Sequence, residues 1–445
     1  MTDKNLRRLR KMQSRIIAAV KDQNWLKVRD LQRILVRSGY ARELAVDTIA
    51  SSPGSKTPGV DNFIIKNEID KAKIIKVLGK IEQYNPKPVK RIYIPKANGK
   101  LRPLGIPTIA DRAMQCLFSF ALQPIAETLG DQHSFGFRPN RSTIDAFNHL
   151  YRAQFIKSSN APVNNWAVDA DIKGFFDNIS HEWILNNIKI EPRILAKFLK
   201  AGFIEYNNQV NEFHDTNLGV PQGGVISPMI ANMVLDGLEQ HIYDGLKARN
   251  IYNGILKRVH FIRYADDFVI ITPYEWVAQR TIPIVNSFLK ERSLSLNMDK
   301  THILDISKDN LDFLGYTLKR VDGKSMTIPN PEKVKLFLKN IRLKIKKCNS
   351  REDIIALNSV IRGWANYYKH VSSSNVFRYL RYQIHQCLLS WGMKKLHTHS
   401  ISSVYSKYFI KVKSTFHFGY KEGKKSYLLY DIASTKISYY KSKIR

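Results

Sequence analysis

Hydrophobic residues form two kinds of pattern along this chain of 445 residues. Short apolar runs that carry acidic residues predict buried strands within 166–171 and 259–272. The second run is interrupted by Tyr264-Ala265-Asp266-Asp267, so it predicts two strands joined by a turn that carries two acids. Adjacent carboxylates between buried strands cost stability unless cations bind them or the turn leaves them in water, where Asp is a common turn residue.

Apolar positions at helical spacing predict amphipathic helices near both ends of the chain. Residues 1–50 are expected to form two or three of them. Their apolar stripe includes Trp25, Val28, Leu31, Ile34 and Leu35. A break at Pro329-Asn330-Pro331 precedes a second helical region, in which apolar residues alternate with Lys and Arg. Further helices are predicted at 108–130, 229–241 and 276–292, and a strand at 294–301.

Three loop signals lie between these segments. Asn98-Gly99, between two apolar and basic runs, predicts a β-hairpin. Residues 134–143 combine Phe, Gly and Arg, which suit stacking and phosphate contact with a nucleic-acid strand but also fit the capped start of a helix. Residues 218–228 are Gly-rich without the Lys-Ser/Thr of a P-loop, so they favour close approach of the backbone to a base pair.

The net charge of the chain indicates which class of molecule it binds. Lys and Arg total 71 against 38 Asp and Glu, a formal net charge of +33. Such an excess favours a polyanion, with nucleic acid ahead of an anionic membrane surface. No apolar run approaches about 20 residues and no signal peptide is recognisable, so we expect no membrane partner and a cytoplasmic protein. Cys116, Cys348 and Cys387 are widely spaced, which argues against structural zinc and for a reducing compartment.

Two strands that each deliver acids to one place predict a site for two divalent cations. Such ions activate an attacking hydroxyl and stabilise the leaving oxygen in phosphoryl transfer. Magnesium-like ions take carboxylate, carbonyl, water and phosphate oxygens, so three Asp residues are enough.

In their order along the chain, these motifs resemble those of reverse transcriptases of the group II intron type, and the resemblance covers nearly the whole sequence. It implies that Asp171, Asp266 and Asp267 are the catalytic triad. The metal site would comprise these three carboxylates and the Ile172 carbonyl, with Asp171 and Asp266 the most direct ligands. Two Mg²⁺ ions are expected there, for which Mn²⁺ can substitute. Asp169 lies outside the matched positions, as does Asp177.

The resemblance also implies a binding site for the incoming deoxynucleoside triphosphate (dNTP). Lys96 and Arg102 on the predicted hairpin would neutralise its phosphates. Phe176 would lie against the sugar and collide with a ribose 2′-hydroxyl, although ordinary core packing is the alternative. Gln222 and the small Ala231 would contact the nucleotide and its template base.

Three further assignments follow from the family pattern. Lys300 would neutralise or protonate the departing pyrophosphate, unless it is an ordinary surface lysine. Arg138 and Arg141 would lie near the template strand. The predicted hairpin of residues 311–316 matches the primer grip. Its primer-contacting residues would be Phe313, Leu314, Gly315 and Tyr316.

These expectations define an α+β right-hand polymerase with fingers, an antiparallel-sheet palm and an α-helical thumb. Residues 1–60 would be an N-terminal helical extension. The fingers, with palm elements, would span 61–165 and the palm 166–328. A thumb similar to maturase domain X would follow at 329–395, and a basic DNA- or RNA-binding segment rich in Lys and Tyr at 396–445. Short β-hairpins with a frayed end would give a similar C-terminal composition.

The predicted function is RNA-directed DNA synthesis from a primer 3′-hydroxyl. Its partners would be an RNA template, either an intron RNA or a noncoding RNA, a DNA primer or target, and dNTPs. An RNA-dependent RNA polymerase is the nearest enzymatic rival, but those usually carry a Gly-Asp-Asp turn and lack the aromatic gate. The same motifs also fit a splicing maturase that acts mainly by binding RNA, and a domesticated antiphage-defence or CRISPR-associated reverse transcriptase. The oligomeric state is left open.

Overall fold

A computed structural model describes residues 3–95, 99, 101–154, 163–206, 211–322 and 324–438 of the chain. Two compact units are formed from discontinuous segments. Unit 1 comprises residues 1–142 and 168–303, and unit 2 comprises residues 143–167 and 304–445. The five-segment division predicted from the sequence places its boundaries elsewhere and stays a prediction.

Helices and strands alternate irregularly, as expected for an α+β protein. The helices are α1 (Asp3–Lys21), α2 (Trp25–Arg37), α3 (Gly39–Ala50), α4 (Glu68–Leu78), α5 (Ile109–Leu129), α6 (Thr143–Ala153), α7 (Phe175–Asn178), α8 (His181–Asn187), α9 (Pro192–Leu199), α10 (Ser227–Leu235), α11 (Leu238–Lys247), α12 (Asn253–Leu256), α13 (Glu275–Lys290), α14 (Pro331–Lys346), α15 (Arg351–Tyr368), α16 (Ser374–Leu396) and α17 (Ile401–Tyr408). The strands are β1 (Val89–Pro95), β2 (Leu101–Ile106), β3 (Trp166–Ala170), β4 (Phe203–Tyr206), β5 (Asn211–His214), β6 (His260–Tyr264), β7 (Asp267–Thr272), β8 (His302–Asp305), β9 (Leu311–Phe313), β10 (Tyr316–Val321), β11 (Lys324–Pro329), β12 (Phe409–Val412), β13 (Thr415–Glu422) and β14 (Lys425–Leu428). Short 3₁₀ helices lie at Pro53–Lys56, Ile81–Gln83 and Ile432–Ser434.

Unit 1 has a helical layer around α5, which is the predicted buried helix of residues 108–130. Thr108 caps α5 by accepting a hydrogen bond from the Asp111 amide. Three helices, α1 to α3, confirm the expected N-terminal bundle and contact α5. The predicted stripe on α2 is partly wrong, because Trp25 is 38% and Ile34 53% exposed. The buried side chains of α2 are Val28, Leu31, Gln32, Leu35 and Val36.

Two four-stranded sheets complete unit 1. The first has the order β2-β1-β4-β5, and its antiparallel β1–β2 pair is the hairpin predicted from Asn98-Gly99. The second has the order β6-β7-β3-β8; β3 and β8 each extend two residues beyond the limits of the unit. Strands β6 and β7 are antiparallel and almost fully buried, and each of their large apolar side chains contributes about 1.5–3 kcal/mol to stability.

Two predicted elements differ in the structure. The expected helix of residues 229–241 is two helices, α10 and α11, separated at Asp236 and Gly237, where Gly237 has a φ of +89°. That left-handed backbone ends the helical path although the apolar periodicity continues. The expected strand of residues 294–301 is a turn with one isolated bridge, because the backbone at Asn297 bonds to the Asp171 carbonyl and then reverses direction.

Unit 2 contains the helices after the Pro-Asn-Pro break and two small antiparallel sheets, β11-β10-β9 and β12-β13-β14. Asn330 caps α14 by accepting from the Glu332 and Lys333 amides. An aromatic core joins the helices, with Phe337 stacked on Trp364 at 4.6 Å between ring centroids. The basic C-terminal segment forms α17 and a three-stranded meander, whose Leu428 carbonyl accepts from the Asn358 side chain on α15.

None of the helices in the described part of the chain is long and apolar enough to cross a membrane.

Candidate active site

The double-acid hairpin is formed by β6 and β7, with Tyr264 paired to Asp267 across the turn. Ala265 has a φ of +59° and is buried, so the turn is tight and fixed. The backbone of Gly136 passes directly against it, because a Cβ at Gly136 would collide with Ala265. This packing places Asp266 and Asp267 at a defined position at the hairpin tip.

Arg263 anchors the base of the hairpin and was not recognised in the sequence. The residue is fully buried, and its guanidinium lies 2.6 Å from Asp236 Oδ1 and 3.2 Å from Asn232 Oδ1. Its backbone exchanges hydrogen bonds with the loop before α6, from Arg263 N to the His133 carbonyl and from Phe135 N to the Arg263 carbonyl. An apolar residue at this position would leave the buried Asp236 without its cation.

Strand β3 delivers Asp171 one residue after its end. The Asp171 carboxylate accepts from Lys300 Nζ at 2.8 Å and from Asn297 Nδ2 at 3.1 Å. Asn297 is a second residue that the sequence did not point to, since nothing local marks it. At the isolated bridge beyond Asp171 the hydrogen bonds run from Lys173 N to the Ser295 carbonyl and from Asn297 N to the Asp171 carbonyl. Neither of these two hydrogen bonds uses the Ile172 carbonyl.

The carboxylates lie within one another's electrostatic field. Burial, reinforced by the charges of Asp266 and Asp171, raises the pKa of Asp267 to about 6. Asp267 keeps an exposed face, but surrounding protein atoms limit hydration of its carboxylate. Burial also raises the pKa of Asp266, against the opposing charges of Arg102 and Lys300. The hydrogen bond to Asp171 raises the pKa of Lys300, so Lys300 is a cation held at the carboxylates.

These residues fit a hard divalent cation. Among the described residues, no three His, Cys, Asp or Glu side chains are gathered into a preformed metal cluster. Mg²⁺ sites that act on nucleotides use one or two carboxylates together with water and substrate phosphates, so such a cluster is not required. The donors here are carboxylate oxygens and the Ile172 carbonyl, and their mutual repulsion is what a divalent cation would relieve.

Arg102 and Gln222, two of the predicted nucleotide-binding residues, are in contact. Arg102 Nε donates to Gln222 Oε1 at 3.0 Å, and the Gly105 amide donates to the Gln222 carbonyl at 2.6 Å. The Gly-rich loop therefore lies directly against β2. Gly223 has a φ of +113° and packs on the Gly105 carbonyl, where a Cβ has no room. The predicted triphosphate ligand Lys96 lies outside the described residues.

Phe176 and Ala231 differ in exposure. Phe176 lies on the short helix α7, is half-buried, and packs edge-on against Phe175 at 5.3 Å. Its carbonyl accepts from the Val220 amide at 2.7 Å, which ties it to the Gly-rich loop. Phe176 and residues 218–222 of that loop line one pocket. Ala231 on α10 is 2% exposed, so it contributes the small size of its side chain to packing.

The two arginines of the 134–143 loop have structural partners. Arg138 is buried, its Nε and Nη2 donate to the Glu127 carboxylate at 3.1–3.2 Å, and Nη1 donates to backbone carbonyls. Direct template contact by this guanidinium is therefore not supported by its placement, and we assign it to bracing the loop. Arg141 is half-buried and donates to the Gln132 and Ser134 carbonyls.

The predicted primer-grip hairpin is present in unit 2, formed by β9 and β10 with Leu314 and Gly315 at its turn. Phe313 is 4% and Tyr316 0% exposed, so their side chains belong to the core, whereas Leu314 and Gly315 at the turn are half-buried. Two further residues support that turn. Tyr367 Oη donates to the Leu314 carbonyl at 2.8 Å and Tyr368 Oη to the Gly315 carbonyl at 3.0 Å.

Comparison with known families identifies three matching models. The model described as reverse transcriptase (RNA-dependent DNA polymerase) matches residues 94–318, about half of the chain. The N-terminal domain of reverse transcriptase matches residues 3–78, and the group II intron maturase-specific domain matches residues 333–409.

Curated relatives agree with these models. Protein YkfC of Escherichia coli is 32% identical over 335 residues, covering 66% of this chain and 84% of YkfC. The group II intron-encoded protein LtrA of Lactococcus lactis is 28% identical over 456 aligned positions, covering 79% of this chain and 72% of LtrA. Among solved structures, an apo telomerase from Candida tropicalis aligns over 54% of each chain with 15% identity and a TM-score of 0.42.

Proposed function

Because the chain belongs to the reverse transcriptase (RNA-dependent DNA polymerase) family, of the group II intron type, we propose that Asp171, Asp266 and Asp267 extend a DNA primer on an RNA template with two Mg²⁺ ions. The family expected from the order of the motifs is confirmed, and with it the class of RNA-directed DNA polymerase. The observation that carries the site assignment is that β3 and β7 are neighbours in one sheet, with Asp171 directly after β3 and Asp266 and Asp267 at the β6–β7 turn.

Mg²⁺ ions bound to these oxygens would activate the primer 3′-hydroxyl and neutralise the charge that develops during phosphoryl transfer. Asp171 and Asp266 would be the most direct ligands of the ions, together with the Ile172 carbonyl. Asp267 adds negative charge, and because its pKa is raised to about 6, protons compete with the cations for it as the pH falls toward that value.

The remaining residues orient the dNTP. Arg102, fixed by Gln222, presents its free guanidinium nitrogens to the triphosphate. Lys300, now paired with Asp171, exchanges that carboxylate for phosphate oxygens and neutralises pyrophosphate as it leaves. Phe176 closes the sugar side of the site, and the backbone at Leu314 and Gly315, held by two tyrosines, supports the primer.

Asp266→Ala tests the proposal. Loss of a metal ligand removes stabilisation of the transition state while the phosphate-binding surface stays intact, so primer extension should fall by about a thousandfold or more, with RNA affinity within about twofold of wild type. Primer extension on an RNA template and filter binding of the same template measure the two effects.

Asp177→Ala is the matched control, because Asp177 is an exposed acid close to Asp171 in sequence but outside the motif. It should extend primers normally. Extension by Asp266→Ala at the wild-type rate would contradict the catalytic assignment.

A maturase role alongside polymerisation is favoured by one observation, the match of residues 333–409 to the maturase-specific domain. We propose that this part of unit 2 binds structured intron RNA. Because that contact does not involve the carboxylates, Asp266→Ala should keep its stimulation of intron splicing. Loss of splicing together with polymerisation would show that the two activities share one site.

A further inference from the structure

A cavity of about 470 Å³ lies in unit 1 between α2, α5 and α9. Its volume is within the range of pockets that hold small organic ligands. None of its lining residues belongs to the carboxylate site or to the nucleotide-binding residues around it. The cavity is therefore a separate feature of the N-terminal half of the chain.

Five cations line this cavity, one of which, Lys197, is half-buried and donates to the Tyr84 carbonyl. They are Arg29, Arg33 and Arg37 on α2, and Arg193 and Lys197 on α9. The four-residue spacing on each helix places them along one face, so the two helices present their cations to the same opening. Because these positive charges repel one another, a bound anion would stabilise the cavity.

The acids at the opening neutralise only part of this charge. Glu82 pairs with Arg37 at 2.7 Å, and Glu191 lies 3.9 Å from Arg33. Within the part of the chain that the structure describes, Arg29 and Arg193 form no ion pair, and both are exposed. They are the cations available to a phosphate.

The floor of the cavity is apolar. Val36 is 6%, Phe118 3% and Ile194 5% exposed, and Ala121 is fully buried. Gln32 fixes the wall by donating to the Ala121 carbonyl at 3.3 Å and the Lys189 carbonyl at 3.0 Å. An inorganic anion would use the arginines and leave the apolar floor without a partner.

We propose that this cavity binds one unpaired nucleotide of the RNA partner. A nucleotide is complementary to both parts of the cavity. Its flat, largely apolar base can cover the floor, and its phosphate can bind Arg29 and Arg193. Proteins read structured RNA chiefly through such unstacked bases in bulges and loops. The inference rests on the proposed function only in taking RNA as the partner.

The test compares two RNA hairpins, one fully paired and one with a single-nucleotide bulge, bound to the full-length protein. The wild type should prefer the bulged hairpin by about tenfold, within the range for one stacked base. Ile194→Trp fills the floor without changing charge, so it should abolish the preference and leave affinity for the paired hairpin unchanged. A folded Ile194→Trp variant that keeps the preference would overturn the proposal.

A second variant avoids any change in the core. Arg29→Glu combined with Arg193→Glu should reduce the preference for the bulge to less than about twofold, because the phosphate loses its cations. Arg8→Glu combined with Arg15→Glu is the control, since both arginines are exposed on α1 and lie outside the cavity. Equal loss in the two double variants would show that only total charge matters and would overturn the proposal.

Two further measurements identify the occupant. Adenosine 5′-monophosphate at millimolar concentration should compete away the bulge preference of the wild type. A bulged DNA hairpin that binds as tightly as the bulged RNA would overturn RNA as the occupant. Primer extension on an unstructured template should be normal in all cavity variants. A wrong assignment of the cavity can therefore be distinguished from a wrong assignment of the catalytic carboxylates.

Discussion

At the scale of the residue, the carboxylate site depends on side chains of two kinds. The acids can be recognised in the sequence because a carboxylate inside an apolar run is unusual and is costly to bury unless a cation binds it. Arg263 and Asn297 do not stand out, because their roles come from partners far along the chain: Asp236 for the first and Asp171 for the second. Local pattern therefore located the acids but not the groups that position them.

Phe176 gives a prediction about the choice of sugar. If its ring meets the 2′ position, Phe176→Ala removes the collision with a ribose hydroxyl. Incorporation of ribonucleotides relative to deoxyribonucleotides should rise by about tenfold or more, measured as a ratio of kcat/KM values. Tyr252→Ala, at an exposed tyrosine outside the site, should leave the ratio unchanged. An unchanged ratio in Phe176→Ala would place the sugar gate elsewhere.

His181 gives a prediction about pH. It is 6% exposed, its Nε2 donates to the Gly219 carbonyl at 2.7 Å, and its Nδ1 is buried with no partner among the described residues. Burial lowers the pKa of His181 below its ordinary value of 6.5. As the pH falls through 6.5, His181 is protonated in the unfolded chain before it is protonated in the folded protein. The free energy of unfolding therefore includes a contribution from the neutral imidazole above pH 6.5, and this contribution is lost as the pH falls below 6.5.

His181→Gln keeps a hydrogen-bond donor at this position but does not titrate. Between pH 7 and 5.5, the wild type should lose up to about 1.4 kcal/mol per pH unit more stability than the variant. Urea unfolding at several pH values measures this difference, and other titrating groups cancel between the two proteins. Parallel pH profiles would show that His181 does not carry the effect.

At the scale of the element, helices and strands were predicted correctly where the hydrophobic period was unambiguous and no residue interrupted it. Turn residues separate the strands predicted for the β1–β2 and β6–β7 hairpins, and Thr108 caps the start of α5. Helix α13 has no side-chain cap, and its apolar period alone was enough to predict it. The helix expected over 229–241 failed because Gly237 adopts a left-handed backbone inside an unbroken apolar period. The strand expected over 294–301 failed because its backbone pairs with the end of β3 at a single bridge, a contact that local sequence does not encode.

Helix α14 gives a prediction at this scale. Lys339, Arg342 and Lys346 are exposed on one face, and the last two line a groove of about 890 Å³ with cations of α16. If this face grips nucleic acid, replacing all three with Ala should weaken RNA binding. The slope of log affinity against log salt should fall by up to about 0.7–0.9 per lost phosphate contact. Products should shorten, because the primer and template dissociate between additions.

The control for α14 is Lys344→Ala with Lys347→Ala, two exposed lysines on another side of the helix. Affinity across a salt series and product length at excess template are the measurements. Single-nucleotide addition at saturating template should survive in both variants. If the triple variant keeps its salt slope and full-length products, the face does not contact nucleic acid and the thumb assignment fails.

At the scale of the whole molecule, the chain divides in a way that no contiguous segmentation predicts. Residues 143–167 join residues 304–445 in unit 2 because Phe147 packs on Tyr316, with 4.8 Å between ring centroids, and Gln154 bonds to Ser325. Sequence pattern gives the identity of each element but not its distant partner. Net charge is a property of the whole chain that the composition gives directly, and it indicates nucleic acid independently of any motif.

The contacts of the buried Arg263 side chain affect how such a protein can evolve. Its partners are Asp236, Asn232 and the backbone of the neighbouring loop, and none of these is a catalytic acid. Under the proposed catalytic role of Asp266, a single replacement there ends synthesis and leaves the contacts of Arg263 that hold the hairpin in place. A lineage can lose the enzyme in one step while keeping a folded RNA-binding protein, and one reversion restores the activity.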